Sequence, residues 1–136
     1  MRMNTAPRNA AAEAIAAEVD SGTTDPNGKL QLWSGTYPTE IGDTPSGSLL
    51  AEFDYENPSF GAPSNGAVSA QGLPKTTTGL GDGEVTWYRV LDRDGTPVWD
   101  NDSVGTSGTA LELNTTTIST GVDVTMNSHT LTMPAS

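Results

Sequence analysis

The sequence predicts a mainly β fold, an antiparallel β-sandwich or barrel-like domain with one N-terminal α-helix. Short apolar or alternating runs recur at spacings of about 8–12 residues between clusters of Gly, Pro and Asn, which is typical of such domains. Only one segment, Asn4–Asp20, has the composition of a helix. The hydrophobic content is 34%, and the many Thr, Ser and Gly residues favour short strands joined by long turns.

The length and charge of the chain limit the possible functions. With 136 residues, the chain is long enough for one domain with one core. Six Lys and Arg residues stand against seventeen Asp and Glu residues, a formal charge of −11. This charge argues against a broad basic surface for nucleic acid or anionic membranes. The absence of cysteine excludes a disulfide framework, a thiolate metal site and a cysteine nucleophile.

The sequence shows no targeting or membrane signal. No segment approaches the roughly 20 apolar residues of a membrane span. The alanine-rich N-terminal segment carries Glu13 and Glu18 and does not match a signal peptide. We therefore expect synthesis in the cytoplasm without processing.

The predicted helix spans Asn4–Asp20, whose many alanines give a high helical propensity. We expect Thr5 to cap it, Pro7 to lie in its first turn, and Ser21-Gly22 to end it. Its apolar stripe is shallow and comprises Ala11, Ile15 and Val19.

Two interpretations of this helix stay open: it packs on its own domain, or it forms an arm that contacts another subunit. We divide the chain accordingly into an N-terminal arm and helix, residues 1–21, and a β-sandwich domain, residues 22–136. We expect a chain that lacks residues 1–21 to stay folded but to assemble weakly.

A β-hairpin near the middle of the chain organises the predicted domain. A strand over Glu84–Leu91 precedes the turn Asp92–Gly95, and Thr96–Asp100 returns, because Asp-Gly before an apolar run is a strong hairpin signal. Large side chains fall on both faces of the first strand, so we expect it to be central and covered on both sides. Trp87 and Trp99 are expected to bury the largest areas.

The other predicted strands are shorter and are separated by polar loops. Lys29–Gly35 and Ser48–Tyr55 each show one clean apolar face, and the loop Thr36–Gly47 joins them. Weaker strands are predicted at Gly66–Gln71, Thr109–Leu113, Thr116–Ser119, Val122–Met126 and Asn127–Met133. Leu73–Gly83 and Asn101–Gly108 are predicted as loops.

The only histidine, His129, does not indicate a catalytic or metal site. One histidine without cysteine cannot build a multi-ligand zinc site. A Ser-His-Asp triad with Ser128 is not expected, because neighbours in a strand point to opposite faces. We therefore expect His129 to be a surface or interface residue.

Three groups of acidic residues are explained more simply by structural roles than by catalysis or metal binding. Glu52, Asp54 and Glu56 could supply a glycosidase pair, but their period of two is that of the polar face of a strand. Asp92–Gly95 lacks the twelfth-position glutamate of an EF-hand, so we interpret it as a turn. For Asp100–Asp102, a solvated loop is favoured over a weak calcium site. We expect no enzyme, no cofactor and no metal.

Five segments together carry a resemblance to known proteins. They are WSGTYP at Trp33–Pro38, NPSFG at Asn57–Gly61, WYRVLDRDG at Trp87–Gly95, VGTSGTALELN at Val104–Asn114 and TLTMP at Thr130–Pro134. The pattern spans nearly the whole chain and resembles a group of small virion proteins of tailed phages that infect bacteria. The resemblance implies a non-enzymatic structural part of the particle.

Within this group, we expect a capsid decoration (cement) protein that binds the outer surface of the head and stabilises the lattice. The partners implied are the major capsid protein and further copies of the chain in a homotrimer, with no nucleic acid and no membrane. The protein would be made in the host cytoplasm and located on the capsid surface of the virion. A tail or neck component is one alternative.

A carbohydrate-binding or adhesin-like β-sandwich module is the other alternative. It would use an aromatic patch, for which the candidates are Trp33, Tyr37, Tyr55 and Tyr88.

The expected interface residues lie in two segments. They are Met3, Pro7, Arg8 and Ile15 in the N-terminal segment, and Trp33 and Tyr37 near the long loop. Arg2 and Arg8 are the only positive charges in the first 28 residues, and we expect them to meet acidic sites on the capsid.

Overall fold

The structure, a computed structural model, describes residues 2–134 and confirms the mainly β class. Met1, the first residue of the predicted arm, and the last two residues lie outside the described residues. The helix is α1 (Thr5–Val19). The strands are β1 (Lys29–Trp33), β2 (Leu49–Asp54), β3 (Ala67–Ser69), β4 (Lys75–Thr78), β5 (Gly83–Glu84), β6 (Trp87–Leu91), β7 (Pro97–Asn101), β8 (Val104–Gly105), β9 (Leu111–Leu113), β10 (Thr117–Ile118) and β11 (Asp123–Thr132).

Four antiparallel strands form the first sheet, in the order β2-β1-β6-β7. All residues of β6 are buried, which confirms the prediction of a central strand covered on both faces. The predicted turn is also confirmed: Asp92 Oδ1 accepts the backbone N–H groups of Asp94 and Thr96, both at 2.9 Å. The strand begins later than predicted, because Glu84 pairs instead with Thr117 of β10.

The second sheet is built on β11, which pairs with β3 and β4 on one side and with β9 on the other. β9 pairs in parallel with β8. The prediction of two strands, Val122–Met126 and Asn127–Met133, is wrong. A register shift between Met126 and Ser128 absorbs Asn127 as a bulge, so one strand runs through both segments.

Two of the predicted loops contain short strands. Leu73–Gly83 contains β4, whose sequence KTTT shows no apolar alternation but pairs with β11 along its whole length. Asn101–Gly108 contains β8. Both strands lack the period-two pattern by which a strand is recognised in a sequence.

The core lies between the inner faces of the two sheets. On β1, Leu30 and Leu32 face inwards, and their cross-strand partners on β6 are Val90 and Tyr88. The second sheet contributes Leu111, Leu113, Val124 and Met126 to the same core. The predicted inward alternation of β1 is thereby confirmed.

The helix α1 packs on its own domain, which is the first of the two interpretations of the sequence. Its buried side chains are Ala12, Ala16 and Val19, all of which belong to the core. The predicted stripe was partly wrong, because Ala11 and Ile15 are only half-buried and the smaller alanines face the domain. The predicted cap was also wrong: Asn4 is the N-cap, without a side-chain hydrogen bond, and Thr5 lies inside the helix.

Candidate functional site

The outer face of the first sheet carries two of the predicted interface residues. Trp33 of β1 lies opposite Trp87 of β6, and their rings stack with centroids 5.7 Å apart and an interplanar angle of 16°. The loop 34–48 folds back over this face, and the ring of Tyr37 lies 6.1 Å from that of Trp87. The structure therefore brings Trp33 and Tyr37 together around Trp87; we call these three the aromatic cluster.

Within the aromatic cluster, only Tyr37 offers a large exposed surface. Trp87 is 0% exposed, whereas Tyr37 is 42% exposed. The indole N–H of Trp87 donates to the carbonyl oxygen of Ser34 at 3.1 Å, and the Thr86 hydroxyl donates to the carbonyl of Gly35. The two tryptophans therefore form a fixed support behind an accessible tyrosine ring.

A buried ion pair, missed by sequence analysis, lies beside the aromatic cluster. Arg89 Nε and Nη2 donate to the two carboxylate oxygens of Asp100 at 2.8 and 3.1 Å. The two side chains are 6% and 3% exposed. Arg89 Nη1 also donates to the carbonyl oxygen of Asp43 at 3.2 Å, and its guanidinium lies 5.3 Å from the Trp87 ring centroid. The pair thus fastens the loop 34–48 onto the sheet.

The run Asp100–Asp102 at the end of β7 does not converge on one point. Asp100 pairs with Arg89, and Asn101 Oδ1 accepts the backbone N–H of Ser103 at 3.0 Å. The Asp102 side chain is exposed and makes no hydrogen bond or ion pair with residues 2–134. Within residues 2–134, no three acidic or histidine side chains are grouped so that they could hold a metal ion.

Asp102 lies at the edge of a small surface depression next to the aromatic cluster. The depression has a volume of about 160 Å³. It is lined by Gly35, Thr36, Tyr37, Thr86, Trp87 and Asp102. An exposed ring, hydroxyl groups and a free carboxylate thus meet at one place on the surface.

The predicted interface residues of the N-terminal segment lie at the opposite end of the strands. Pro7 is exposed, while Met3, Arg8 and Ile15 are half-buried. Arg8 Nη2 donates to the carbonyl oxygens of Asn65 and Met133, both at 3.0 Å. Arg8 therefore holds the helix to the chain beyond β11, and the structure does not place these four residues near the aromatic cluster.

His129, expected at the surface, is buried with an exposed fraction of 1%. Its Nε2 lies 2.7 Å from the hydroxyl oxygen of Tyr55 in a hydrogen bond. The rings of Tyr55, Phe60, Tyr88 and Trp99 surround it at centroid distances of 5.4–6.3 Å. The expectation was wrong because the bulge at Asn127 reverses the alternation, so that His129 instead of Ser128 turns inwards.

Burial controls the titration of this cluster. Desolvation lowers the pKa of His129 to about 4, against a weaker opposing effect of the Ala110 carbonyl. Nδ1 has no hydrogen-bond partner among the described residues. Desolvation also raises the pKa values of Tyr55 and Tyr88. The cluster is therefore uncharged at neutral pH, and the two tyrosines do not belong to a surface patch.

The carboxylates at the end of β2 form the polar strand face that the sequence predicted. Each has a partner: Glu52 with Gln31 at 2.9 Å, Asp54 with Lys29 at 2.6 Å, and Glu56 with Lys75 at 2.7 Å. These contacts neutralise or orient all three side chains on the surface.

Four large apolar side chains are exposed in the described part of the chain. They are Tyr37, Ile41, Leu80 and Val122, with exposed fractions of 42–58%. Leu80 donates its N–H to Leu50 at the start of β2, and Gly79 donates to Val122 before β11. Tyr37 and Ile41 lie in the loop that joins β1 to β2, and Leu80 and Val122 lie in the loops beside the β4–β11 pairing, at the same end of the strands; we call these loops together the loop end.

The sequence analysis predicted Trp33 and Tyr37 as surface residues. It missed the ion pair, and it did not predict that the Asp102 carboxylate has no partner within residues 2–134. The sequence did contain a signal for the ion pair, because Arg89 and Asp100 are opposite charges on the two strands of the hairpin. If the pairing of Leu91 with Pro97 continued without a shift, Trp99 would lie opposite Arg89. A register shift between Val90 and Leu91 brings Asp100 to that position instead.

No protein-family model, no curated protein and no solved structure matches this chain. Among residues 2–134, no helix is long and apolar enough to cross a membrane. We therefore infer function from the chain's own residues and from the surfaces that they form.

Proposed function

We propose that this chain is a structural virion protein of a tailed phage, a capsid decoration protein that binds the outer surface of the head and stabilises the lattice. In this proposal it has no enzymatic activity, and its partners are the major capsid protein and further copies of itself in a homotrimer. The five-segment resemblance suggests the class. The loop end, with its exposed apolar side chains, is the observation that best supports a binding role.

The loop end suits a surface that becomes buried on assembly. Large apolar groups that stay in water cost free energy, and burying such a side chain fully contributes about 1.5–3 kcal/mol. Tyr37, Ile41, Leu80 and Val122 are already partly covered, so each contact is weaker than this. An array of identical copies on a lattice adds such weak contacts by multivalency.

The two ends of the domain offer separate surfaces, as a lattice-stabilising protein requires. The loop end carries the apolar side chains, and the helix at the opposite end presents Pro7 and part of Met3 and Ile15. In the proposal, one end binds the head and the other contacts a neighbouring copy. Both contacts stay predictions.

Localisation on the particle tests this proposal. Heads that lack the protein are mixed with the purified chain, the bound fraction is measured by co-sedimentation, and the particles are imaged by cryo-electron microscopy. Density at three-fold or quasi-three-fold positions of the head is the expected result. Density only at the neck or tail would keep the structural class and replace decoration by the tail or neck alternative. No binding and no density would overturn the proposal.

A further inference from the structure

We propose that the depression between Tyr37 and Asp102 is a binding subsite for one neutral pyranose ring of a glycan. The proposal rests on the aromatic ring, the carboxylate and the size of this depression. It does not depend on the virion function, because it concerns the isolated chain.

The aromatic wall of the subsite is Tyr37. Its ring is 42% exposed and is held in place by Trp87 behind it, 6.1 Å between centroids. Trp33 stacks on Trp87, and the indole N–H of Trp87 is engaged by Ser34. A pyranose presents a face of C–H groups, which packs on such a rigid ring at little cost in side-chain entropy.

The hydrogen-bonding wall is the carboxylate of Asp102. The preceding residue fixes its backbone, because Asn101 Oδ1 accepts the N–H of Ser103 at 3.0 Å, and the Asp102 carbonyl accepts the N–H of Val104 at 2.9 Å. The carboxylate itself makes no hydrogen bond with residues 2–134 and is free to accept two neighbouring hydroxyl groups. Because the backbone at Asp102 is already held, only the rotation of the side chain has to be ordered on binding.

Size and charge define the ligand class further. A volume of about 160 Å³ lies below the roughly 300–1,000 Å³ of sites for drug-sized ligands, so it suits one ring whose neighbours extend into solvent. The free carboxylate and the formal charge of −11 disfavour acidic sugars. We therefore expect neutral hexopyranoses or their N-acetyl derivatives, and rejection of uronic acids.

Nuclear magnetic resonance of the indole N–H groups tests the subsite with an internal control. The intact chain is titrated with the methyl pyranosides of glucose, galactose, mannose, N-acetylglucosamine and glucuronic acid. At least one neutral glycoside should shift the Trp87 signal saturably, with a Kd of the order of 1 mM. The Trp99 signal should not move, because Trp99 is partly buried against His129 and does not line the depression. Glucuronide should give no saturable shift.

Three variants separate the subsite from nonspecific effects. Tyr37→Ala and Asp102→Asn should each weaken binding at least tenfold, while circular dichroism shows that both variants keep the native fold at the temperature of the titration. Asp25→Asn is the matched control, since Asp25 is also an exposed loop carboxylate without a side-chain partner in the described residues, and its affinity should equal that of the wild type. If no neutral glycoside gives a saturable shift of Trp87, or if neither Tyr37→Ala nor Asp102→Asn weakens binding, the proposal is wrong.

Discussion

At the scale of single residues, His129 ties the stability of the fold to pH. Its folded-state pKa is about 4, whereas the ordinary value is 6.5, so the unfolded chain binds this proton more readily. The native state loses stability as pH falls from about 6.5 to about 4, and the loss is complete below the lower value. The difference amounts to about 3 kcal/mol for this one group. We predict that the free energy of unfolding, measured with urea, decreases by this amount between about pH 6.5 and pH 4.

The variant His129→Gln isolates this contribution. Glutamine keeps an amide that reaches towards Tyr55 but cannot take up a proton, so the unfolding free energy should vary less with pH than in the wild type. Tyr55→Phe is the matched control, because it removes the same hydrogen bond and keeps the titrating ring. Equal pH profiles for wild type and His129→Gln would contradict the assignment.

Also at the residue scale, the ion pair Arg89–Asp100 makes a second prediction. Asp100→Ala leaves a buried guanidinium without its carboxylate, and such changes cost about 3–5 kcal/mol. The loop 34–48 should loosen as well, because Arg89 also binds the Asp43 carbonyl. Chemical denaturation and proteolysis of the loop measure the two effects.

The surface pair Lys29–Asp54 is the control for that prediction. Its side chains are 23% and 60% exposed, and exposed pairs contribute about 0–1 kcal/mol. Asp54→Ala should therefore change stability far less than Asp100→Ala. Similar losses in both variants would mean that the burial of Arg89 does not matter.

At the scale of elements, the helix α1 belongs to the core as well as to the N-terminal segment. Val19 is 0% exposed, and Arg8 and Asn9 hydrogen-bond to the chain around Gly66 and Met133. A chain of residues 22–136 loses these contacts, so we now predict a lower unfolding midpoint than that of the full chain. Val19→Ala alone should cost about 1–2 kcal/mol, since it removes two buried methyl groups.

The exposed position Glu18 next to Val19 supplies the control, and Glu18→Ala should leave the midpoint unchanged. If residues 22–136 unfold at the same denaturant concentration as the full chain, the helix is a separable arm. The original division at residue 21 would then be the correct one.

Element by element, the sequence predicted those parts of the fold whose apolar pattern is regular. β1, β2 and the hairpin have apolar periodicity or an Asp-Gly turn, and they were found within a few residues. β4 was missed because KTTT is polar on both faces and is held by cross-strand threonine contacts, such as Thr76 with Thr125 at 2.9 Å. His129 was misplaced because a one-residue bulge is invisible to alternation, and its partner Tyr55 lies 74 residues away.

At the scale of the whole molecule, the basic residues are mostly engaged within the chain. Arg8 binds backbone carbonyls, Lys29, Lys75 and Arg89 pair with carboxylates, and Arg93 donates to the carbonyl of Asp25 at 2.7 Å. Of the six basic residues, all of which lie within the described residues, only Arg2 is exposed and has no such partner among residues 2–134. The exterior is therefore predominantly acidic, and attraction to acidic capsid sites through Arg8 is disfavoured.

An acidic exterior with one apolar end makes the loop end the expected attachment surface, and substitution there tests it. In Leu80→Ser with Val122→Ser, two side chains that are each 58% exposed lose most of their apolar surface. Burying the part of each side chain that is still exposed would contribute about 1 kcal/mol to binding. Without these two contributions, binding to heads should weaken by roughly 10–30-fold. Co-sedimentation with heads measures this affinity, and the double variant should remain folded.

The control is Ala17→Ser, a substitution at an exposed position of the helix, and this variant should bind as the wild type does. If the double variant binds normally and changes around Pro7 and Ile15 abolish binding, attachment occurs through the helix end instead.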